Sequence, residues 1–202
     1  FSNSLESTGG VVMESHSSSF SSAFDYENFD LGSTVSSFRV GRTTNAANVV
    51  IKEPVAMAGP ISIYGGDILL EKDLTSTLSG ADVLVKGRGD IETIASRSVL
   101  TNNGDIVLWS NSDNSGGGSI VLGNDNVLNS SNGRSGDTDS GGGKITLGGG
   151  SGYGTIPTGY SSSSTGAGIK LGTSTANHTE IYSGGGDTVS YTHLTLPTKR
   201  IV

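Results

Sequence analysis

Three aspartates occupy the same place in a repeated phrase of this sequence, and they are the first candidates for chemistry. Each follows a glycine and precedes an isoleucine: Asp67, Asp90 and Asp105. If the phrases stack in space, the three carboxylates form a row along one edge. Paired carboxylates beside a basic group can act as acid and base on a sugar chain. No Arg or Lys recurs with these aspartates, so the sequence favours a row of solvated acids.

Arg88-Gly89-Asp90 is the tripeptide that integrin ligands present. Gly89 and Asp90 already belong to the repeated phrase, so only Arg88 is additional. A cell-binding role would require these residues to lie at a protruding loop tip, because a short motif acts only in an exposed context. The sequence therefore favours a structural origin for the tripeptide.

Two glycine-rich stretches, Gly184 to Asp187 and Gly65 to Asp67, resemble part of a calcium-binding β-roll repeat. That repeat needs tandem copies nine residues apart, so that carboxylates of neighbouring coils share an ion. The sequence has no such copies. Further acids are predicted in loops, where solvated side chains are the usual outcome: Asp113, Asp125, Asp137 and Asp139. We expect no metal and no cofactor.

Histidine and aromatic residues complete the candidate list. His16 and His178 have no acidic or hydroxyl partner that the sequence places beside them, and His193 belongs to an unusual C-terminal segment. No histidine-based catalytic set is therefore predicted, and we expect a protein that is not an enzyme. Trp109 and Tyr64 lie in apolar runs, and if both side chains point outward they form a platform for a sugar ring.

Short apolar runs must position these residues. Each run is rich in Val, Ile or Leu, has the length of a β-strand and is bounded by Gly, Asn or Ser, the residues of turns. None has the length or the i, i+3, i+4 spacing of a helix. The runs are 38–40, 48–51, 61–64, 67–70, 82–86, 90–94, 105–109, 119–122, 144–147, 169–171 and 180–182.

The repeated phrase predicts how these strands are arranged. A glycine precedes a polar residue and an isoleucine, or the isoleucine directly, at isoleucines 68, 91, 106, 120, 145 and 169, which are 14 to 25 residues apart. We expect the glycine to adopt the positive φ of a sharp corner. One such strand cannot bury its apolar side, whereas coils stacked ~4.8 Å apart build a continuous interior. The chain from Phe38 to Tyr182 has room for about six coils, with Gly/Ser-rich loops between strands.

Composition excludes several classes of protein. The chain has 32 glycines in 202 residues, no cysteine and 15% charged residues, against ~25% in typical soluble domains. Its formal charge of −7 argues against nucleic acid, which requires a basic surface. No apolar run approaches the ~20 residues of a membrane-spanning helix.

Several of the runs are similar to those of a known family. G-G-D-I-L-L, N-N-G-D-I-V-L-W-S, G-G-G-S-I-V-L-G and G-G-G-K-I-T-L-G, with R-T-T-N-A-A-N-V-V-I upstream, resemble the β-strand repeats of filamentous-haemagglutinin-like bacterial surface adhesins. The resemblance covers about residues 38 to 183. It implies a right-handed parallel β-helix, secreted or displayed at the cell surface. The implied partners are a host or neighbouring-cell surface or glycan, and neighbouring repeats of the same longer chain.

The sequence divides into three parts. Residues 1–37 are predicted to be a Ser-rich irregular lead-in or a diverged repeat, 38–188 the solenoid, and 189–202 a non-native tail. The tail, Val189–Val202, resembles the translated adapter DNA of a metagenomic sequencing library and is excluded from fold reasoning. The chain begins at Phe1 rather than Met, so we expect a fragment of a longer protein.

These observations predict a structural or adhesive repeat segment without catalysis. The alternative is a β-helix lyase or hydrolase that acts on extracellular polysaccharide. The position of the aspartates distinguishes the two functions, because catalysis requires acids and basic groups to converge in a groove.

Overall fold

The computed structural model describes residues 3–32, 34–131, 141–159, 168–172 and 178–191. This part of the chain consists of β-strands joined by turns and irregular segments and has no helix, so it contains no helix that could cross a membrane. Most strands pair in parallel with strands one coil away. The predicted all-β solenoid is therefore confirmed, while its right-handed sense stays a prediction that the family resemblance implies.

The coils have three β-sheet faces. Face 1 contains β2 (Gly10–Met13), β5 (Ser37–Val40), β8 (Ile61–Gly65), β11 (Val83–Gly87), β14 (Ile106–Ser110) and β17 (Ile145–Tyr153). Face 2 contains β3 (Phe24–Tyr26), β6 (Val49–Ile51), β9 (Ile68–Leu70), β12 (Ile91–Thr93), β15 (Ile120–Leu122) and β19 (Ile169–Leu171). Face 3 contains β7 (Val55–Met57), β10 (Leu74–Ser76), β13 (Ser98–Thr101), β16 (Val127–Asn129) and β20 (Glu180–Tyr182).

Four strands lie at or beyond the ends of these faces. β1 (Asn3–Leu5) and β4 (Phe29–Leu31) form a two-stranded sheet, in which β4 contacts β7. β18 (Ile156–Gly159) pairs antiparallel with β17, and β21 (Thr188–Ser190) pairs parallel with the start of β17. β21 contains the first two residues of the predicted non-native tail; residues 192–202 lie outside the described part.

Along the described chain the strands make six coils. Five of them lie between Ser37 and Tyr182, where about six were predicted. The other coil comprises residues 10–31, with β2, β3 and β4 in succession. The aromatic residue Tyr26 packs this coil against the next one: its ring centroid lies 5.2 Å from that of Phe38 in β5. Burial, with repulsion from Asp30 and Glu53, raises the pKa of Tyr26 to about 12.

The core is a set of aliphatic rows that run along the solenoid. On face 1, one row places Phe38, Ile61, Val83, Ile106 and Ile145 in register, and each is at most 1% exposed. Faces 2 and 3 contribute similar rows. Each fully buried Val, Leu or Ile contributes about 1.5–3 kcal/mol, so the rows hold the coils together. The predicted alternation is confirmed in β14, where Ile106 and Leu108 point inward and Trp109 points outward.

The glycines of the repeated phrase are required for a different reason from the predicted one. Gly66, Gly89 and Gly104 are absent from the glycines with positive φ. Instead, each lies close to the preceding coil: a Cβ on Gly104 would come within 2.0 Å of the Ala81 carbonyl oxygen. At Gly66 and Gly104 the corner therefore needs glycine because two backbones approach closely, whereas a Cβ on Gly89 would meet the Asp67 carboxylate at 2.1 Å.

Candidate functional site

The three candidate aspartates lie in two separate corners, so the predicted single row is wrong. Asp67 and Asp90 precede strands of face 2, whereas Asp105 precedes a strand of face 1. The physical reason is that a glycine followed by a polar residue suits the corner before face 1 as well as the corner before face 2. The same phrase therefore begins strands of both faces. The described structure thus separates residues that looked equivalent in the sequence.

At the face 2 corner, each carboxylate binds the backbone of the next coil. Asp67 Oδ1 accepts a hydrogen bond from the Asp90 backbone N–H at 3.0 Å. Asp90 Oδ1 accepts one from the Ser119 N–H at 2.7 Å and another from the Ser119 hydroxyl at 2.8 Å. Asn48 does the same for Asp67, whose N–H donates to Asn48 Oδ1 at 2.9 Å. These acids therefore satisfy backbone donors that the turn would otherwise leave unpaired.

The face 1 corner uses the same bond with a different set of side chains. Asp82 Oδ1 accepts from the Asp105 N–H at 2.7 Å, and Asp105 Oδ1 accepts from the Lys144 N–H at 2.8 Å. Asp82, Asp105 and Lys144 thus follow one another in successive coils. This corner brings two acids and a basic residue together, of which only Asp105 was predicted as a candidate from the sequence.

A groove lies beside this corner on the outer surface of face 1. It encloses about 180 Å³. Its floor comes from an outward row that is in register across four coils, Ser62, Leu84, Val107 and Thr146. Thr155, in the turn of the β17–β18 hairpin, and Ile156, the first residue of β18, form one wall. The remaining lining residues are Pro60, Ile61, Tyr64, Asp82, Val83, Asp105 and Lys144.

The electrostatics of the groove follow from its partly apolar surroundings. Desolvation raises the pKa of Asp82 above its ordinary value, although part of the side chain remains open to solvent. Repulsion from Asp105 raises it further, while the hydrogen bond from the Asp105 backbone lowers it. Burial also lowers the pKa of Lys86, whose Nζ lies 3.5 Å from the centroid of the Trp109 ring.

Trp109 points outward as expected, but it is covered. The side chain is only 2% exposed, its Nε1–H donates to the Gly150 carbonyl at 2.9 Å, and Gly152 packs against the ring. Lys86 lies over the ring as well. The hypothesis that Trp109 offers an open platform to a sugar is therefore wrong. Tyr64, the other candidate, lines the groove and is half-buried.

The Arg88-Gly89-Asp90 tripeptide lies in a coil corner rather than at a loop tip. The Arg88 and Gly89 N–H groups donate to Gly65 and Gly66, at 2.9 and 3.1 Å. The Arg88 guanidinium binds Asp113 at 3.0 Å, and Asp90 binds Ser119. Each of the three residues is thus tied to the solenoid, which is the structural alternative predicted for them.

The other candidates do not come together in the described residues. Among those residues no three His, Cys, Asp or Glu side chains form a cluster that could hold a metal ion. Asp113 binds Arg88, Asp125 lies in a turn with a φ of 56°, and His16 and His178 are exposed. Asp137, Asp139 and His193 lie outside the described part of the chain.

Sequence reasoning missed Asp82, Lys144, Thr155 and Ile156 as residues of one site. The available signal was the alignment of Ala81-Asp82-Val83 with Gly104-Asp105-Ile106 and Gly143-Lys144-Ile145, which share a small residue, a polar residue and a β-branched one. The hairpin wall had no such signal, because nothing in its Gly-rich sequence indicates that it folds back beside face 1.

Comparisons with known proteins add no assignment. No family model matches the chain, and neither the curated proteins nor the solved structures contain a significant match.

Proposed function

We propose that this chain is a structural and adhesive segment of an extended β-helical protein that is secreted or displayed at a cell surface. The observation that carries the proposal is the use of the acids: Asp67, Asp82, Asp90 and Asp105 each bind a backbone N–H of the next coil. The recurring charged residues therefore serve the stacking of coils. A repeat that serves stacking extends a rod and leaves its outer faces for contact.

The composition supports the same proposal. A chain with formal charge −7 and no cysteine depends on neither disulfides nor a basic surface. Stability comes from the aliphatic rows and the corner hydrogen bonds. Both recur from coil to coil, so the fold does not depend on a single stabilising site. Such a rod tolerates variation of its outer surface, which is where an adhesive contact would form.

Adhesion is tested with beads coated with the purified chain and incubated with cells from several bacterial and animal lines. We expect specific retention that soluble chain competes away. As a control, beads carry heat-unfolded chain at the same density. Retention equal to that of the unfolded control on all cells would contradict an adhesive role.

A second function, a polysaccharide lyase or hydrolase, is favoured by one observation. Asp82, Asp105 and Lys144 meet at the edge of one groove, which is the convergence that catalysis requires. Against it, one oxygen of each carboxylate is already bound to a backbone N–H. The assay is release of reducing or unsaturated sugar ends from extracellular polysaccharides. Release by the chain that disappears in Asp105→Asn would replace the adhesive proposal with the enzymatic one.

A further inference from the structure

The groove on face 1 combines an apolar floor with polar groups that have no protein partner. Leu84 and Val107 form the centre of the floor, 6% and 7% exposed, and Tyr64 packs against them at one side. Within the described residues, the second oxygens of Asp82 and Asp105 make no hydrogen bond, and neither does the Tyr64 hydroxyl.

Thr146 provides an independent indication of a ligand. Its side chain lies in the floor row next to Val107, lines the groove and is only 2% exposed. In the part of the chain that the structure describes, its hydroxyl makes no hydrogen bond within the protein, and it is not among the buried side-chain atoms that lack a partner. The hydroxyl is therefore reachable from the groove, where a ligand hydroxyl could take the place of water as its hydrogen-bond partner.

The arrangement of these groups defines the class of ligand. The apolar floor beside a tyrosine suits a ligand with a flat apolar face. The carboxylates, hydroxyls and ammonium group of the rim suit a ligand whose edge carries hydroxyls, because hydroxyls both donate and accept hydrogen bonds. A pyranose sugar has both surfaces. The volume of about 180 Å³ is below the about 300–1,000 Å³ of drug-sized sites, so the groove fits a single sugar ring.

Charge restricts the sugar further. Two carboxylates and one lysine line the rim, and the whole chain carries a formal charge of −7. A uronate or sialylated chain would be repelled by this surface.

We propose that this groove binds one neutral pyranose unit of a surface glycan, held over Leu84, Val107 and Tyr64 by Asp82, Asp105 and Thr146. The site deepens the adhesive function proposed above and rests on it for its biological role. Binding itself requires only the folded chain.

The test is a printed array of oligosaccharides that contains neutral hexose, N-acetylhexosamine and uronic acid chains. We expect the chain to bind neutral oligosaccharides and not the uronic acid chains. Titration of the best binder is followed by the fluorescence of Trp109, the one tryptophan in the sequence, whose ring packs against Leu84, Val107 and Tyr64.

Two variants and two matched controls locate the site. Tyr64→Ala removes the aromatic edge and should weaken binding about tenfold, which corresponds to ~1.4 kcal/mol. Thr146→Val keeps the shape of the side chain, removes the hydroxyl and should weaken binding about fivefold. Tyr182→Ala and Thr75→Val change the same residue types on face 3 and should leave the affinity within about twofold. Circular dichroism melts establish that all four variants fold.

Failure of the site and failure of the adhesive function give different results. Absence of neutral glycan binding, a preference for uronic acid chains, or equal affinity of Tyr64→Ala and Thr146→Val with the unaltered chain would overturn the groove site. If coated beads still adhere to cells in that case, the adhesive proposal stands without it. Beads that fail to adhere, with glycan binding intact, would overturn the adhesive proposal alone.

Discussion

Faces 1 and 2 use the same corner hydrogen bond but differ in what covers their outer surfaces. On face 1, the β17–β18 hairpin covers Trp109, and the neighbouring Leu84 and Val107 are nearly buried. On face 2, the corresponding outward residues include Val50, Leu69 and Glu92, which remain half-buried or exposed. Two roles are therefore separate. The corner hydrogen bonds stabilise the stacking of coils, whereas a segment that covers the outer surface, such as the β17–β18 hairpin, determines whether that surface can form a site.

The largest effect is expected from an outward residue under the cover. Trp109→Ala should lower the free energy of unfolding by about 3–5 kcal/mol, because it removes a buried ring and the bond to Gly150. Leu69→Ala, at an outward position of face 2, should cost about 1 kcal/mol because that side chain is only half-buried. Urea unfolding monitored by circular dichroism measures both. Equal losses would show that the hairpin provides no protected interior.

A smaller effect distinguishes the corners themselves. In Gly104→Ala the new Cβ meets the backbone of Ala81, which cannot move without shifting a coil, so we expect a loss of about 3 kcal/mol. In Gly89→Ala the Cβ meets the carboxylate of Asp67 at 2.1 Å, and a side chain can move at the cost of its hydrogen bond, about 1 kcal/mol. Thermal melts of both variants test this order. A larger loss in Gly89→Ala would mean that the corner carboxylate, and not the backbone approach, limits the packing.

The sequence predicted the class of fold because its strands are short, apolar and separated by turn residues. The inward residues Ile106 and Leu108 and the outward Trp109 were identified from alternation alone. The phrase before Ile106 did not reveal to which face the strand of Ile106 belongs. A local pattern predicts that a corner is present, but it does not predict which of the three corners of the coil it is. That assignment depends on the length of each loop, and it decides whether Asp105 joins Asp90 or Asp82.

The groove was largely unpredictable for a related reason. Asp82 has an alanine where the other phrases have glycine, and Thr146 is an ordinary strand residue in the sequence. Their shared surface arises from strands about 20 to 40 residues apart that stack ~4.8 Å from each other. The wall depends on where the hairpin folds, and its Gly-rich sequence has no periodicity that would fix that position.

The smallest effect concerns the charge of Asp82. Because desolvation raises the pKa of Asp82 in the folded chain by more than the hydrogen bond from the Asp105 backbone lowers it, the folded state binds its proton more tightly than the unfolded state does. This group therefore favours folding at low pH, and that contribution is lost as the pH rises from the unfolded pKa through the folded one. Asp82→Asn keeps an oxygen acceptor for the Asp105 N–H and removes the charge. It should be more stable than the unaltered chain at pH 7, by less than about 1 kcal/mol after solvent screening.

The pH dependence provides the control for this last prediction. The gain in Asp82→Asn should shrink as the pH falls to about 3, because Asp82 is then protonated in the unaltered chain as well. Asp67→Asn removes one carboxylate from the face 2 corner while keeping an acceptor for Asp90, so it controls for the loss of a single negative charge from an acidic protein. A gain at pH 7 that is the same in both variants would be due to net charge. A gain confined to Asp82→Asn would assign the effect to the desolvation of this carboxylate at the groove, because the Asp67 carboxylate makes the same backbone hydrogen bond at the face 2 corner.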